Sequence, residues 1–448
     1  MINRLILTDV YNLSHGFMKC NVDFEASHIV NRNAPMILFG FDAAVHDILD
    51  YKVNEDDITQ AKACAKKMNM EFPAEMFYDA MKYESIGDIL KVEALPDGSW
   101  VPRGTPFAQI SNVVEGFGEL VTWWEPLLLH PWFASSCATR ALKMKQYLTE
   151  RDERLTRFHS FGFRGHRSME DAYWCGRAWS LFLPGTDDFH ISVDLAGESI
   201  PALAHKVTMN WDDELKCYVE AVRRSADKGY KAVSIVIDTV SSKKFIEKYL
   251  LKVQASAEAY KITPIYRPDS GEVIVQAHNI VTKLKENGNN NFGIIIGDSV
   301  TFNDAKGYDV VWKKYGHDCN LVTWGIGAGF YNDLTRDTLG WAMKTCYSNG
   351  KDRMKYTDTI TKRSIPGKVS LKYRRDGNLV VHTRTEYSCE NSDYILLNIS
   401  KPSTFERAKK IANRQDCDQQ EIILSDLLRA KMLSPDSRVT CITNGSPF

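Results

Sequence analysis

The sequence lacks an excess of charge of either sign, which excludes one broad class of partners. Its 448 residues carry 56 lysines and arginines against 57 aspartates and glutamates, a formal net charge of -1. Nonspecific binding to nucleic acid or to an anionic membrane surface needs a strongly positive field. The composition therefore indicates no nucleic-acid partner and no membrane partner, and its basic residues must act locally.

The chain also lacks the cysteine spacing of a metal or redox site and any apolar run long enough to span a membrane. No two of its ten cysteines form a CxxC pair, and several, such as Cys137 and Cys175, lie in apolar surroundings. Such cysteines are typical of reduced, buried side chains in a cytosolic protein. The segment MINRLILTDV has too short an apolar stretch for a signal peptide. We therefore expect a cytoplasmic protein.

What the sequence does contain is a series of four apolar segments that each end on a polar cluster. They are 231–238, 263–269, 292–298 and 320–329, and a helix-like stretch follows each of them. Their starts lie roughly thirty residues apart, the length of a βα unit. Parallel strands read as continuous apolar runs because both of their faces are buried. The series predicts an irregular TIM-like α/β barrel with its active site at the C-terminal ends of the strands.

The two ends of the chain have a different pattern and predict a second, β-rich domain. Val369–Tyr373 and Leu379–Thr383 flank a turn sequence typical of a hairpin. We expect a mainly β-rich and helical domain over 1–150, the barrel with the active site over 151–346, and a segment over 347–448 that returns to the β-rich domain. The finer predictions are a strand at 36–41, a hairpin over 93–110, and helices over 56–82, 120–150 and much of 403–432.

Charged residues cluster at the predicted strand ends. Asp238, Asp269 and Asp298 end three of the segments, and Arg267 precedes Asp269 by two residues in RPDSG. Arginine binds phosphate through its fork of donors, and aspartate can hold Mg²⁺ or stabilise developing positive charge. A surface Arg–Asp pair in a turn is the alternative. The matching strand ends favour a site for a phosphorylated, metal-bound substrate.

Two further motifs and one histidine contain candidate binding or catalytic residues. Gly327 and Ala328 belong to GIGAG after the last segment, where small residues let backbone N–H groups approach a phosphate. Arg164 lies in FHSFGFRG, whose aromatic rings could stack on a planar base or form a core cluster. His205, in IPALAH, is on its own as compatible with a structural role as with a catalytic one.

Taken together, these motifs resemble the nicotinamide phosphoribosyltransferases, which are type II phosphoribosyltransferases. The resemblance runs from about Leu5 to the region of Gly367 and rests on TDVYNLSHG, FGFRG, PGTD, IPALAH, VSIVID, YRPDSG, IIGD and GIGAGFYNDLTRD. The combination of YRPDSG with LTRD downstream, in this order, is specific to the family. The family implies transfer of a phosphoribosyl group from 5-phosphoribosyl 1-pyrophosphate to nicotinamide, giving nicotinamide mononucleotide and pyrophosphate. It also implies Mg²⁺, and ATP as a co-substrate that phosphorylates a histidine matching His205.

The resemblance assigns a base pocket and a pyrophosphate pocket. Phe161 would stack on the pyridine ring, Asp187 would accept from the carboxamide NH₂, and Arg267 would donate to the carboxamide oxygen. Asp238 and Asp269 would lie beside the ribose and the metal–pyrophosphate group. The residues implied for the pyrophosphate and the other phosphate groups are Arg164, His205, Gly327, Ala328 and Asp298.

The resemblance also implies a homodimer with a shared active site. Tyr11 would cover the second face of the base from the partner subunit, and Arg336 and Lys344 would reach the partner's phosphate. Three further basic residues match family positions only approximately: Arg32, Lys355 and Lys362. The chain departs from the family at Ala204, where a glutamate is usual, at Ala328, which replaces a glycine, and at 239–241, which replace a more polar stretch.

Three other interpretations compete with this one. A nicotinate phosphoribosyltransferase shares the fold and the sugar donor, but Asp187 would repel a carboxylate. The adjacent Asp188 leaves the assignment open to a shift by one residue. A non-catalytic relative would have lost the charged site residues that this chain keeps. An aldolase-type barrel needs a Schiff-base lysine at a strand end, and none of the four segments ends on one.

Overall fold

The chain forms two compact units. The computed structural model describes residues 3–18, 22–193, 195–297, 299–359, 362–373, 379–383, 397–398, 404–413 and 422–424. The first unit contains 1–139 and 334–448, and the second contains 140–333. The first unit is therefore built from both ends of the chain. The domain limits expected from the sequence, 150 and 346, stay predictions.

The strands are short and are numbered in chain order. They are β1 (Glu25–Asn31), β2 (Met36–Ile37), β3 (Leu90–Ala94), β4 (Trp100–Val101), β5 (Pro106–Asn112), β6 (Phe158–Ser160), β7 (Gly185–Thr186), β8 (Ala202–Leu203), β9 (Ala232–Val236), β10 (Thr263–Arg267), β11 (Gly293–Ile296), β12 (Val322–Ile326), β13 (Trp341–Ser348), β14 (Lys351–Asp352), β15 (Val369–Tyr373), β16 (Leu379–Thr383), β17 (Leu397–Asn398) and β18 (Ile422–Leu424).

The helices are numbered in the same way. They are α1 (Asn12–Met18), α2 (Phe41–Leu49), α3 (Glu55–Lys67), α4 (Ala74–Ala80), α5 (Glu125–Leu129), α6 (Trp132–Thr149), α7 (Met169–Ser180), α8 (His205–Thr208), α9 (Glu214–Asp227), α10 (Ser242–Lys244), α11 (Leu250–Ala259), α12 (Val273–Glu286), α13 (Phe302–Lys314), α14 (Arg336–Leu339) and α15 (Phe405–Ala412). Within the described residues no helix is both long enough and apolar enough to cross a lipid bilayer.

The second unit is organised around a parallel half-barrel. Among its described residues, seven strands pair in the order β7-β6-β12-β11-β10-β9-β8. The four apolar segments of the sequence form β9, β10, β11 and β12, so the α/β fold prediction is confirmed. Residues 233–236 of β9 are all buried, as expected of a strand covered on both faces. Because all seven strands run in the same direction, their C-terminal ends share one edge of the sheet, here called the C-terminal edge.

Side-chain caps start the helices that connect these strands. The side chain of Asp213 accepts from the backbone N–H of Lys216 at the start of α9. Thr301 and Asp304 form a reciprocal capping box at the start of α13. These caps satisfy N–H groups that have no partner within the helix, so each chain reversal after a strand has a defined geometry.

The first unit has an antiparallel sheet and an aromatic core. Its described strands form a six-stranded sheet in the order β14-β13-β1-β5-β3-β17 and a smaller sheet, β15-β16-β18. The rings of Phe41 and Phe107 pack edge-to-face with centroids 5.6 Å apart, and Phe107 lies 4.7 Å from Trp341. All three side chains are fully buried. The β-rich second domain expected from the sequence is thereby confirmed.

Several finer predictions were wrong in detail. The strand expected at 36–41 ends at Ile37, and α2 already begins at Phe41. The helix expected over 120–150 is divided into a 3-10 turn, α5 and α6, with Pro131 directly before α6. Proline lacks the N–H that would continue a helix and disfavours helical geometry in the residue before it. The helix expected over 56–82 is likewise divided before Pro73, and 403–432 contains β18 as well as α15.

Candidate active site

A cavity of about 690 Å³ lies against the parallel sheet of the second unit. Its wall includes the first residues of β9, β10 and β11. Toward the C-terminal edge it is lined by Phe161, Asp187 and Arg267, the three residues of this unit that were expected to hold a planar base. The fold therefore brings these three side chains, distant in the sequence, to a common cavity.

His205 forms a cluster with two carboxylates at the C-terminal edge. Its Nε2 lies 3.3 Å from Oδ2 of Asp269 and 3.8 Å from Oδ1 of Asp238. Its Nδ1 lies 3.0 Å from the hydroxyl of Thr239. The hydroxyl of Ser270 donates to Oδ2 of Asp238. The three residues expected to carry the chemistry thus lie together, although they come from three separate segments.

Two buried polar atoms in this cluster have no hydrogen-bond partner in the described part of the chain. They are Oδ1 of Asp238 and Nε of Arg267. Arg267 donates from Nη2 to the carbonyl of Leu203 at 3.2 Å, while its Nε lies 4.0 Å from Oδ1 of Asp269, beyond hydrogen-bond distance. A buried polar group without a partner costs free energy, so a ligand that pairs with these atoms would be favoured.

The ring of Phe161 lies over two glycines at the ends of neighbouring strands. A Cβ at Gly325 would lie 2.1 Å from Cε2 of Phe161, and a Cβ at Gly297 would lie 2.8 Å from the same atom. The backbone N–H of Phe161 donates to the carbonyl of Ile326 at 3.0 Å. Both glycines are therefore needed for the ring to occupy this place at the cavity wall.

The adjacent aspartates 187 and 188 point to different surroundings. The side chain of Asp187 is 42% exposed and lines the cavity. Asp188 is buried, accepts from the hydroxyl of Ser160 at 2.6 Å and accepts from the backbone N–H of Phe163 at 3.1 Å. Asp188 therefore stabilises the turn that follows β6, and Asp187 is the carboxylate that a ligand can reach.

The pKa values of the two aspartates shift in opposite directions. Burial raises the pKa of Asp187, but hydrogen bonds from His159 and Ser199, with the charges of His159 and Arg267, together lower it below its usual value. Burial also raises the pKa of Asp188, and there it outweighs the hydrogen bonds that the side chain accepts. Asp187 is consequently a charged carboxylate at neutral pH.

The expected phosphate-binding residues lie just beyond β6 and β12. Arg164 is exposed in the turn after β6, and Gly327 and Ala328 follow β12 directly. A Cβ at Gly165 would lie 2.9 Å from Cβ of Ala328, so the two loops touch. Within the residues that the structure describes, the N–H groups of Gly327 and Ala328 donate no backbone hydrogen bond. Asp298 lies outside the described residues.

The residues expected to serve a partner subunit lie in the first unit and form a charged group there. Lys344 is half-buried on β13, and burial lowers its pKa. The other charges that act on Lys344 belong to Glu125, which raises the pKa, and to Arg336, Arg32 and Lys355, which lower it. Tyr11 is 52% exposed and donates to Asp9 at 2.8 Å. Lys362 is exposed.

Sequence reasoning gave no role to His159 or Ser199, which line the cavity. It counted Gly325 only as part of the glycine-rich turn and Thr239 only as a departure from the family. His159 could have been found, since alternation along β6 places it on the same side of the strand as Phe161. Phe158 and Ser160 are indeed buried on the other side. The others become evident only when the neighbouring strands are known.

The carboxylates fit a metal ion that arrives with its substrate. Among the described side chains, no three His, Cys, Asp or Glu residues converge as a ready-made metal cage. Mg²⁺ is usually held by one or two carboxylates together with substrate phosphates. Asp238, with an unpaired buried oxygen, and the neighbouring Asp269 are donors of that kind.

Comparison with known sequences finds a family match that covers more than half of the chain. Residues 156–391, more than half of the chain, match the nicotinate phosphoribosyltransferase (NAPRTase) family. The nicotinamide phosphoribosyltransferase of Acinetobacter baylyi is 25% identical over 456 residues, covering 84% of this chain and 89% of the relative. That of Xanthomonas campestris pv. campestris is 24% identical over 412 residues, covering 82% and 87%.

Solved structures with the same fold cover nearly the whole chain. The crystal structure of human nicotinic acid phosphoribosyltransferase has a TM-score of 0.64 at 15% identity and covers 95% of this chain and 99% of its own. That of nicotinate-nucleotide pyrophosphorylase from Pyrococcus furiosus has a TM-score of 0.60 at 16% identity and covers 92% and 94%. At these identities the likeness shows the shared fold.

Proposed function

Because the chain belongs to the nicotinate phosphoribosyltransferase (NAPRTase) family and is therefore a pentosyltransferase, we propose that it transfers the phosphoribosyl group to nicotinamide. The donor is 5-phosphoribosyl 1-pyrophosphate, and the products are nicotinamide mononucleotide and pyrophosphate. The observation that carries the choice of base is the charged carboxylate of Asp187 in the cavity wall with Phe161 and Arg267. The curated relatives that are named for nicotinamide support the same choice.

The charges in the cavity favour an amide over a carboxylate. The NH₂ of nicotinamide can donate to Asp187, and its carbonyl oxygen can accept from the guanidinium of Arg267. Nicotinate would bring a second carboxylate against Asp187, and like charges placed together cost several kcal/mol. Nicotinate is the alternative substrate, favoured by the name of the family. Its carboxylate could pair with Arg267 only if the repulsion from Asp187 were relieved.

Electrostatic stabilisation is the main chemical demand of this transfer. The pyridine nitrogen already carries a lone pair, so no general base is required to activate it. The sugar becomes cationic and oxocarbenium-like as the pyrophosphate departs, and preorganised charges stabilise such states. Asp238 and Asp269 would stabilise the positive sugar, while Arg164 and His205 would bind the leaving pyrophosphate. Bound Mg²⁺ would neutralise charge on that pyrophosphate, held by the same two carboxylates.

ATP and a second subunit complete the proposal. The side chain of His205 is 41% exposed, so a phosphoryl donor can reach it. Phosphorylation would add negative charge and acceptor oxygens that arginines can bind, which is a route to stimulation by ATP. Tyr11, Arg336 and Lys344 would act in the site of a partner copy, so the active form would be a homodimer.

A substrate panel with matched aspartate variants tests the proposal. Wild-type enzyme is assayed with nicotinamide or nicotinate, 5-phosphoribosyl 1-pyrophosphate and Mg²⁺, with and without ATP. We expect preference for nicotinamide and a higher rate with ATP. Asp187→Asn should reduce the preference, because it removes the charge that repels nicotinate, whereas Asp227→Asn, at the exposed end of α9, should not. Equal use of both bases by the wild type would refute the choice of base.

A further inference from the structure

Both side chains that hold Asp187 bond to the same carboxylate oxygen. Nε2 of His159 lies 3.0 Å from Oδ1, and the hydroxyl of Ser199 donates to that atom at 2.8 Å. No hydrogen bond to Oδ2 is formed by any residue that the structure describes. Oδ2 is therefore the oxygen left to accept a hydrogen from a ligand in the cavity.

The ring of His159 has a fixed place beside this carboxylate. Along the β6–β7 pair, His159 faces Gly185, where a Cβ would lie only 2.7 Å from Nδ1 of the ring. The ring packs at a steep angle against Phe161, with centroids 5.4 Å apart. Its side chain is 13% exposed and lines the same cavity. A hydrogen bond to a carboxylate requires a hydrogen on Nε2, so this contact selects a protonation form that carries one.

We propose that His159 determines base specificity by holding Oδ1 of Asp187. Oδ2 then stays available to accept from the carboxamide of nicotinamide, and it repels the carboxylate of nicotinate. This inference rests on the proposed function, because it takes the base to bind beside Asp187. Ser199 alone would hold Oδ1 through one rotatable hydroxyl. The second donor limits rotation of the carboxylate and supports its charge. Since His159 acts through Asp187, it is a positioning residue.

Removal of the hydrogen-bond donor, with an aromatic ring kept in its place, is the direct test. His159→Phe keeps an aromatic ring and removes the donor, while His159→Gln keeps an N–H near the position of Nε2. The matched control is His278→Phe on α12, where the histidine bonds to His317 at 2.9 Å and does not line the cavity. For each variant, kcat and KM are measured with nicotinamide and with nicotinate. Thermal unfolding verifies the fold.

The inference predicts a specific pattern among these variants. A hydrogen bond to a charged group is worth roughly tenfold or more in binding, so His159→Phe should lower the nicotinamide-to-nicotinate ratio of kcat/KM by at least about that factor. The loss should come mainly from a higher KM for nicotinamide. His159→Gln should restore most of the ratio, and His278→Phe should leave it unchanged. If His159→Phe fails to fold, His159→Leu takes its place as the variant without a donor.

The contradicting outcomes separate this inference from the proposed function. A selective wild type whose ratio survives in His159→Phe would overturn the role of His159 and leave the choice of base intact. Equal losses in His159→Gln and His159→Phe would show that the histidine is needed only for packing. A wild type that forms no mononucleotide, or that does not discriminate between the bases, would overturn both claims.

Discussion

Replacing Gly325 by alanine should weaken binding of the base, because the added methyl group displaces the ring of Phe161. The added Cβ would lie 2.1 Å from Cε2 and 2.4 Å from Cδ2 of Phe161, far inside normal contact, so the ring must move by more than an ångström. Stacking of aromatic rings is worth about 0.5–1.5 kcal/mol beyond the buried area. Losing it corresponds to a roughly two- to twelvefold higher KM for nicotinamide.

A steady-state assay with a matched glycine control measures this effect. Gly307→Ala on α13 adds the same methyl group at a position where nothing lies within 4 Å. Alanine in a helix interior is about 0.5–1 kcal/mol more stable than glycine, so this control should fold at least as well as the wild type. The double variant Gly325→Ala with Phe161→Ala should lose little more than Phe161→Ala alone, since both changes remove one contact. An unchanged KM in Gly325→Ala would refute the placement of Phe161 against the base.

Two further predictions concern stability and pH. The fully buried guanidinium of Arg157 pairs with Asp309 at 2.5 Å and also with Glu153. Asp309→Ala removes one of these two carboxylates, so it should lower the free energy of unfolding by about 1.5–3 kcal/mol in urea titrations. A loss below about 0.5 kcal/mol would contradict this. Burial, with the charge of His190, lowers the pKa of His166 from 6.5 to about 4, so the unfolded chain binds the proton more readily. The contribution of His166 to stability should therefore be complete above pH 6.5 and decline as the pH falls toward about 4. His166→Phe should flatten that part of the curve of unfolding free energy against pH. A curve that the substitution leaves unaltered would contradict the lowered pKa of His166.

The strands of the half-barrel could be predicted because both of their faces are buried. β9 and β11 are covered on both faces, so they read as apolar runs whose ends are marked by polar residues, with only the small Ser234 inside β9. The order of strands could not be read in the same way. β6 pairs with β12, which is distant in the sequence, and only this pairing places Phe161 over Gly325.

The positions of candidate site residues could be predicted where a sequence motif fixes the local geometry. They could not be predicted where contacts with other strands determine which way a side chain points. Arg267 and Asp269 lie two residues apart at a strand end, and their neighbourhood follows from the motif. Asp187 and Asp188 are adjacent, and only the contacts of Asp188 with the turn after β6 show which of them faces the cavity. Alternation along β6 puts His159 on the same side as Phe161, but its contact with Asp187 depends on the pairing of β6 with β7 and could not be read from the sequence.

A competition between the two bases tests the central claim most directly. Wild-type enzyme receives equal concentrations of nicotinamide and nicotinate with limiting 5-phosphoribosyl 1-pyrophosphate, and the two mononucleotides are quantified by mass spectrometry. Their ratio equals the ratio of the two kcat/KM values. Repulsion of several kcal/mol at Asp187 predicts an excess of nicotinamide mononucleotide on the order of a hundredfold. Equal amounts of the two products, or an excess of nicotinate mononucleotide, would contradict the account.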